Sequence, residues 1–201
     1  MTQAANVAVI YYSATGNLHR MAEAVAEGAE KAGAEVRVRK VAELAPPEAI
    51  ASNPDWQAHV DSTKDVQIAE HDDLLWADAV IFGTPTRYGT PSAQLKQFID
   101  TTGPLWKEGK LANKVYSVFV STGTPHGGVE STVLSLSNVF YHWGGIIVPP
   151  GYTDPVQFEA GNPYAASYVA GAGPIGDTQL NASRYQGRRA TEIATALRAA
   201  G

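Results

Sequence analysis

A chain of 201 residues with 44% hydrophobic and 17% charged side chains is long enough to bury one sizeable core and short for two, so a single domain spanning 1–201 is expected. It has no cysteine, which excludes disulfide bracing, thiolate metal sites and any relay of electrons through a cysteine pair. A formal charge of −5 gives no field to gather nucleic acid or an anionic membrane, and the start Met1-Thr2-Gln3-Ala4-Ala5-Asn6 lacks the basic flank and apolar stretch of a secretory signal, so a cytoplasmic protein is expected.

The first apolar run, Val7–Tyr12, is short and β-branched and ends in small polar residues, the pattern of a buried parallel strand. Leu18, Met21, Ala22, Val25 and Ala29 follow at helical spacing, and Gly33 stops that helix. Glu35–Val41 predicts an edge strand, in which Arg37, Arg39 and Lys40 alternate with Val36, Val38 and Val41 as charged guards. Residues 44–66, with Pro46, Pro47, Pro54 and Trp56, show no clear period, and Asp72-Asp73 reads as a solvated surface or a helix start. Ala79–Gly83 predicts the third strand, after which Thr90-Pro91 supplies a cap and a first-turn proline for a helix through Leu95, Phe98 and Ile99. Val115–Val120 predicts the fourth strand, Val133, Leu136 and Phe140 a helix, and Gly145–Val148 the fifth strand. Residues 149–183 are rich in Gly, Pro, Ala and Tyr, and Tyr185–Leu197 closes the chain as an amphipathic helix. Strand and helix alternate throughout, which predicts an α/β fold with a doubly wound, five-stranded parallel sheet. The two irregular stretches are long for connections in a compact domain and are expected to bind something or to pack on another subunit.

Three loops follow strands of this pattern. Ser13-Ala14-Thr15-Gly16-Asn17, followed by Leu18, lies between the first strand and the first helix. There the unsatisfied amides of a helix start favour a dianion, Ser13 and Thr15 can add hydroxyls, and Gly16 permits close backbone approach. The same residues fit a tight turn with Ser13, Thr15 or Asn17 as an ordinary helix cap. No Gly-Lys-Ser/Thr follows this loop and the loop itself lacks the G-x-G-x-x-G of a dinucleotide fold, so a monophosphate such as that of FMN suits it better than ATP or NAD. Gly83-Thr84-Pro85-Thr86-Arg87-Tyr88-Gly89 follows the third strand, where an open sheet binds its ligand; it offers amides, Arg87 and Tyr88 to a flavin ring, or else Pro85 and Gly89 simply turn the chain while Tyr88 caps the core. Ser121-Thr122-Gly123-Thr124-Pro125-His126-Gly127-Gly128 follows the fourth strand and is expected beside the other two. His19, His59, His71 and His126 have no metal-site spacing, so no metal is expected.

Together with Met21–Gly28, Ile81–Arg87, Gly103-Pro104-Leu105-Trp106, Ile147-Val148-Pro149 and Ala182–Gly187, these loops resemble the WrbA-type NAD(P)H:quinone oxidoreductases of the flavodoxin-like superfamily over nearly the whole chain. That resemblance implies the strand order 2-1-3-4-5 and FMN as cofactor, with its phosphate held by residues 13–18. It also implies that Pro85, Thr86, Arg87 and Tyr88 meet the ring, with further contacts from Ser121, Thr122, Gly123, Thr124, Pro125, His126 and Gly127 and from His142. Trp106 matches an aromatic residue that borders the nicotinamide and quinone site. Without the resemblance, His142 near a helix end reads as a packing or capping residue, and Trp106 as a buried anchor. Thr15 stands where members often carry an aromatic residue associated with NADH, and the third loop is longer and less glycine-rich than usual. The implied activity is two-electron hydride transfer from NADH or NADPH through FMN to a quinone, by a ping-pong mechanism in a homotetramer, with no catalytic side chain required. A flavodoxin-like one-electron carrier and an FMN-binding scaffold remain as alternatives.

Overall fold

The computed structural model describes residues 4–200; the expectation about a leader rests in part on Met1-Thr2-Gln3, which lie outside the described residues. Strands β1 (Asn6–Tyr11), β2 (Glu35–Lys40), β3 (Ala79–Pro85), β4 (Val115–Thr122) and β5 (Ile146–Ile147) form a parallel sheet in the order β2-β1-β3-β4-β5. The expected order is found. β4 is buried along its whole length because both sheet faces are covered, which is why it and β3 read as nearly unbroken apolar runs. On one face Ile10, Phe82, Tyr116 and Val118 meet Phe140 and Trp143; on the other, Val9, Tyr11, Ile81 and Phe119 meet Met21, Val25 and Ala190. The alternation along each strand divides the core into these two halves.

A sixth strand, β6 (Ala166–Val169), is extra to the five-stranded expectation and lies inside the segment read as irregular. It pairs in parallel with Phe119–Thr122, while the short β5 pairs with Val115 and Tyr116. The fifth position of the sheet is thus shared by two pieces of chain, and Gly145–Val148 contributes only two strand residues to it.

Helices α1 (Asn17–Lys31) and α9 (Asp177–Ala200) cross closely on one face. A Cβ built on Gly28 would stand 1.9 Å from the Arg184 carbonyl oxygen, and one on Gly187 would stand 2.0 Å from that of Val25. α9 begins well before Tyr185, with Asp177 complementing its dipole in the first turn.

The remaining differences concern β2 and the helices between it and β4. Residues 44–66 contain two short helices, α2 (Pro47–Ala51) and α3 (Pro54–Ser62), each opened by a first-turn proline. The next helix, α4 (His71–Trp76), begins at a capping box in which the Glu70 side chain accepts from the Asp73 amide and the Glu70 amide donates to the Asp73 carboxylate. Of the two readings of Asp72-Asp73 the helix start holds, since both lie in the first turn of α4; Asp72 is exposed, whereas Asp73 is buried and meets Arg39 at 3.0 Å, while Arg37 lies over the Trp76 ring. β2 is the edge strand, as expected, but its basic residues are engaged: Arg37 and Arg39 meet the carboxylates of α4, and Lys40 Nζ donates to the Thr63 carbonyl. Finally, α5 (Ala93–Asp100) is capped by Ser92, whose hydroxyl accepts from the Leu95 amide, and not by Thr90, whose hydroxyl donates to the Arg87 carbonyl. α6 (Gly103–Lys107), α7 (Val129–Trp143) and α8 (Pro155–Ala160) complete the α-helices among the described residues, and a single 3-10 turn covers Ala170–Ala172.

Candidate functional site

β1, β3 and β4 end side by side, and the loops that leave them enclose a cleft of about 330 Å3. Ser13, Ala14, Thr15, Asn17 and Leu18 line it from the first loop, Pro85, Thr86 and Arg87 from the second, and Ser121, Thr122 and Gly123 from the third. Gly16 is the residue that starts α1, in the left-handed region at φ 91°, and its amide donates to Ser13 Oγ at 3.0 Å. Only glycine takes that conformation without strain. No side chain caps α1 and no acidic residue sits in its first turn, so Ser13, Thr15 and Asn17 do not serve as an ordinary cap. The amides at this helix end are left for an anion, and the donor set of backbone N–H groups and hydroxyls suits a phosphate monoester such as that of FMN.

The second loop is closed by a pair of bonds, Arg87 N–H to the Thr90 carbonyl at 2.8 Å and Thr90 N–H to the Arg87 carbonyl at 3.0 Å. The Thr86 amide donates to the Ser121 carbonyl at 2.8 Å. Two of the amides expected to be offered to a ring are thus taken by the protein, which makes the loop rigid. Tyr88, at φ 52° and fully exposed, does not line the cleft. Thr86 Oγ1 accepts from Thr132 Oγ1 at 2.7 Å and from the Gly89 amide, and faces the Gly127 carbonyl at 3.3 Å, so one hydroxyl ties the second loop to the third and to α7. In the third loop Thr124, Pro125 and His126 are exposed and, like Gly127, stand outside the lining.

Trp106 and His142 are brought together, but not into this cleft. Trp106 Nε1 donates to the His142 carbonyl at 2.8 Å, and both residues line a separate groove of about 290 Å3 between α6 and α7. Trp106 is half exposed rather than a buried anchor.

Asn53, Trp56 and Ala170 line the cleft and were not anticipated. The Asn53 side chain accepts from the Asp55 and Trp56 amides at the start of α3. The Asn53-Pro54 pair is the sequence signal for that helix start. His59, one turn further on, lies against the first loop: a Cβ on Gly16 would be 3.5 Å from its Nδ1. Burial, then the neighbouring charges of His19 and Lys40, push its imidazole down to about 4. Burial works against the Glu43 carboxylate, but donors from the Ala45 amide, Gln94, Tyr12 and the Leu44 amide outweigh it and hold the group below the usual carboxylate range.

The family model for NADPH-dependent FMN reductase matches residues 5–156. An NAD(P)H dehydrogenase (quinone) from Deinococcus radiodurans is 43% identical over 98% of this chain and 99% of its own length, and one from Paracoccus denitrificans is 44% identical over 96% and 95%. Among solved structures, a flavodoxin, WrbA-like protein from Agrobacterium tumefaciens superposes with a TM-score of 0.69 at 28% identity, covering 95% of this chain and 98% of that one. A three-loop cleft on a 2-1-3-4-5 sheet, with this likeness over nearly the full length, means that the chain belongs to the NADPH-dependent FMN reductase family, in its WrbA-type, flavodoxin-like branch.

Proposed function

We propose that the protein is an FMN-dependent NAD(P)H:quinone oxidoreductase. The observation that carries this reading is the cleft itself, where an uncapped helix end faces an open space walled by three strand-end loops. When bound, FMN supplies the hydride chemistry, accepting from NADH or NADPH and giving to a quinone. Residues 13–18 hold the phosphate through helix-end amides and the hydroxyls of Ser13 and Thr15. Pro85, Thr86 and Arg87, with Ser121, Thr122 and Gly123, border the ring, and the bridged turn at Arg87 keeps that border fixed. No side chain need act as nucleophile or base, since the protein's contribution is orientation and exclusion of water.

The remaining assignments to Tyr88, Thr124, Pro125, His126 and Gly127 place the outer rim of the cleft near the ligand. Trp106 and His142 reach a flavin in this reading only when a second copy presents its groove to the cleft, which goes with a homotetramer. The reading places the enzyme in the cytoplasm, where NAD(P)H is available; among the described residues no helix is long and apolar enough to cross a membrane. One cleft that holds either planar substrate, but not both, gives ping-pong kinetics.

Anaerobic mixing of the FMN-loaded protein with NADH tests the proposal. Rapid bleaching of the flavin, followed by parallel double-reciprocal lines on an initial-rate grid of NADH against a para-quinone, is expected. An unbleached flavin would shift the assignment to a one-electron carrier or a scaffold.

A further inference from the structure

One wall of the cleft belongs to none of the three strand-end loops. Trp56, on α3, is the only aromatic side chain among the described residues lining the cleft, whose other members offer hydroxyls, amides, a guanidinium and small apolar groups. Its position is fixed at both ends. The Asn53 cap, with Pro54 in the first turn, sets the start of its helix, and Trp56 Nε1 donates to Glu43 Oε2 at 3.2 Å. Glu43 is itself anchored by four other donors: Tyr12 OH at 2.9 Å on the same oxygen, and the Leu44 amide, the Ala45 amide and Gln94 Nε2 at 2.8, 3.0 and 2.8 Å on the other. Tyr12 directly precedes the first loop and Gln94 lies on α5, so this carboxylate joins α3 to the strand end from which that loop departs. Because the indole N–H is committed to Glu43, what Trp56 offers the cleft is ring surface. A planar, polarisable ring system is the chemistry that such a surface holds.

Resting on the FMN reading above, we infer that Trp56 packs against the isoalloxazine of the bound flavin and that Glu43 is the positioning residue that fixes its indole. The effect falls on the part of the ligand that FMN and riboflavin share. It is therefore separable from the phosphate loop.

The test is equilibrium binding of FMN and of riboflavin, each followed by flavin fluorescence. Trp56→Ala should weaken both flavins by a similar factor, roughly tenfold, and should restore emission that the stacked indole quenches in the bound state. Trp56→Phe, which keeps a ring, should lose no more than about threefold. Ser13→Ala, by contrast, should weaken FMN and leave riboflavin unchanged. Glu43→Gln should weaken both flavins several-fold in the native background, and that loss should disappear in the Trp56→Phe background, where no indole N–H is left to position. A Trp56→Ala loss confined to FMN, or no loss at all, overturns the stacking role. An equal Glu43→Gln loss in both backgrounds overturns the positioning role. If the native protein binds neither flavin, the cofactor reading itself falls and this inference with it; the melting temperatures of the apo variants distinguish a lost contact from a lost fold.

Discussion

Asp73, only 3% exposed, accepts from Arg39 and from the Glu70 amide and faces Arg37 at 3.3 Å, so one carboxylate both caps α4 and neutralises two guanidinium groups. Asp73→Ala should cost about 2–4 kcal/mol, since it removes a cap and leaves partly buried charge without its partner. Asp72→Ala, at an exposed site beside it, should change stability by less than about 0.5 kcal/mol. Urea midpoints of the two variants check the contrast. His59 gives a pH prediction. Its ordinary value of 6.5 falls to about 4 in the fold, so the unfolded chain takes up a proton that the folded chain refuses between those values. Stability from this source is complete above pH 6.5 and is lost as the pH falls towards 4. Melting temperatures of the FMN-free protein across that range should drop less steeply in His59→Gln than in the native chain. At this scale the first loop was legible because all its parts are adjacent in sequence and follow a recognisable strand. Trp56 was not, because its place depends on Glu43, thirteen positions earlier, and on a helix too short and too polar to show a period.

The crossing of α1 and α9 depends on two glycines that let the helix backbones approach where any side chain would collide. Gly187→Ala should separate the helices at a cost of about 1–3 kcal/mol. A fall in melting temperature of about 2–4 °C per kcal/mol is expected for a chain of this size, and calorimetry measures it. Elements with long apolar runs or a full amphipathic stripe, such as β1, β3, β4, α1 and α7, were readable because burial dictates their composition. β6 escaped notice for the opposite reason. Its four residues, Ala166–Val169, are set among Gly, Pro and Ala, and only pairing with the far half of β4 makes them a strand. The capping of α5 was misplaced by two residues because Thr90-Pro91 has the right chemistry for a helix start, while the turn at Arg87 takes the Thr90 hydroxyl.

On the molecular surface, Tyr152 stacks on Phe158 with ring centroids 5.0 Å apart, and Phe158 is 68% exposed, with Tyr164 also exposed in the same stretch of chain. Aromatic surface of this kind suits contact between copies. Light scattering at micromolar concentration should report a tetramer, and Phe158→Asp should shift it to smaller species. A monomeric native protein would remove the second copy that the Trp106 and His142 assignments require. The divided edge of the sheet has another consequence. Ile146 and Ile147 lie opposite Val115 and Tyr116, the Val148 amide donates to the Tyr116 carbonyl, and Ala166 lies opposite Phe119. Carried through Val148 and Ala165, the two registers meet opposite Ser117 and Val118 without a slip, as though one strand had been cut and an excursion of residues 149–164 spliced in. Chain can therefore be lengthened or shortened at this point while every side chain of the sheet keeps its face. The aromatic surface borne by residues 149–164 is in that sense an exchangeable part, able to diverge and to choose its contacts while the strand ends that shape the cleft stay where they are.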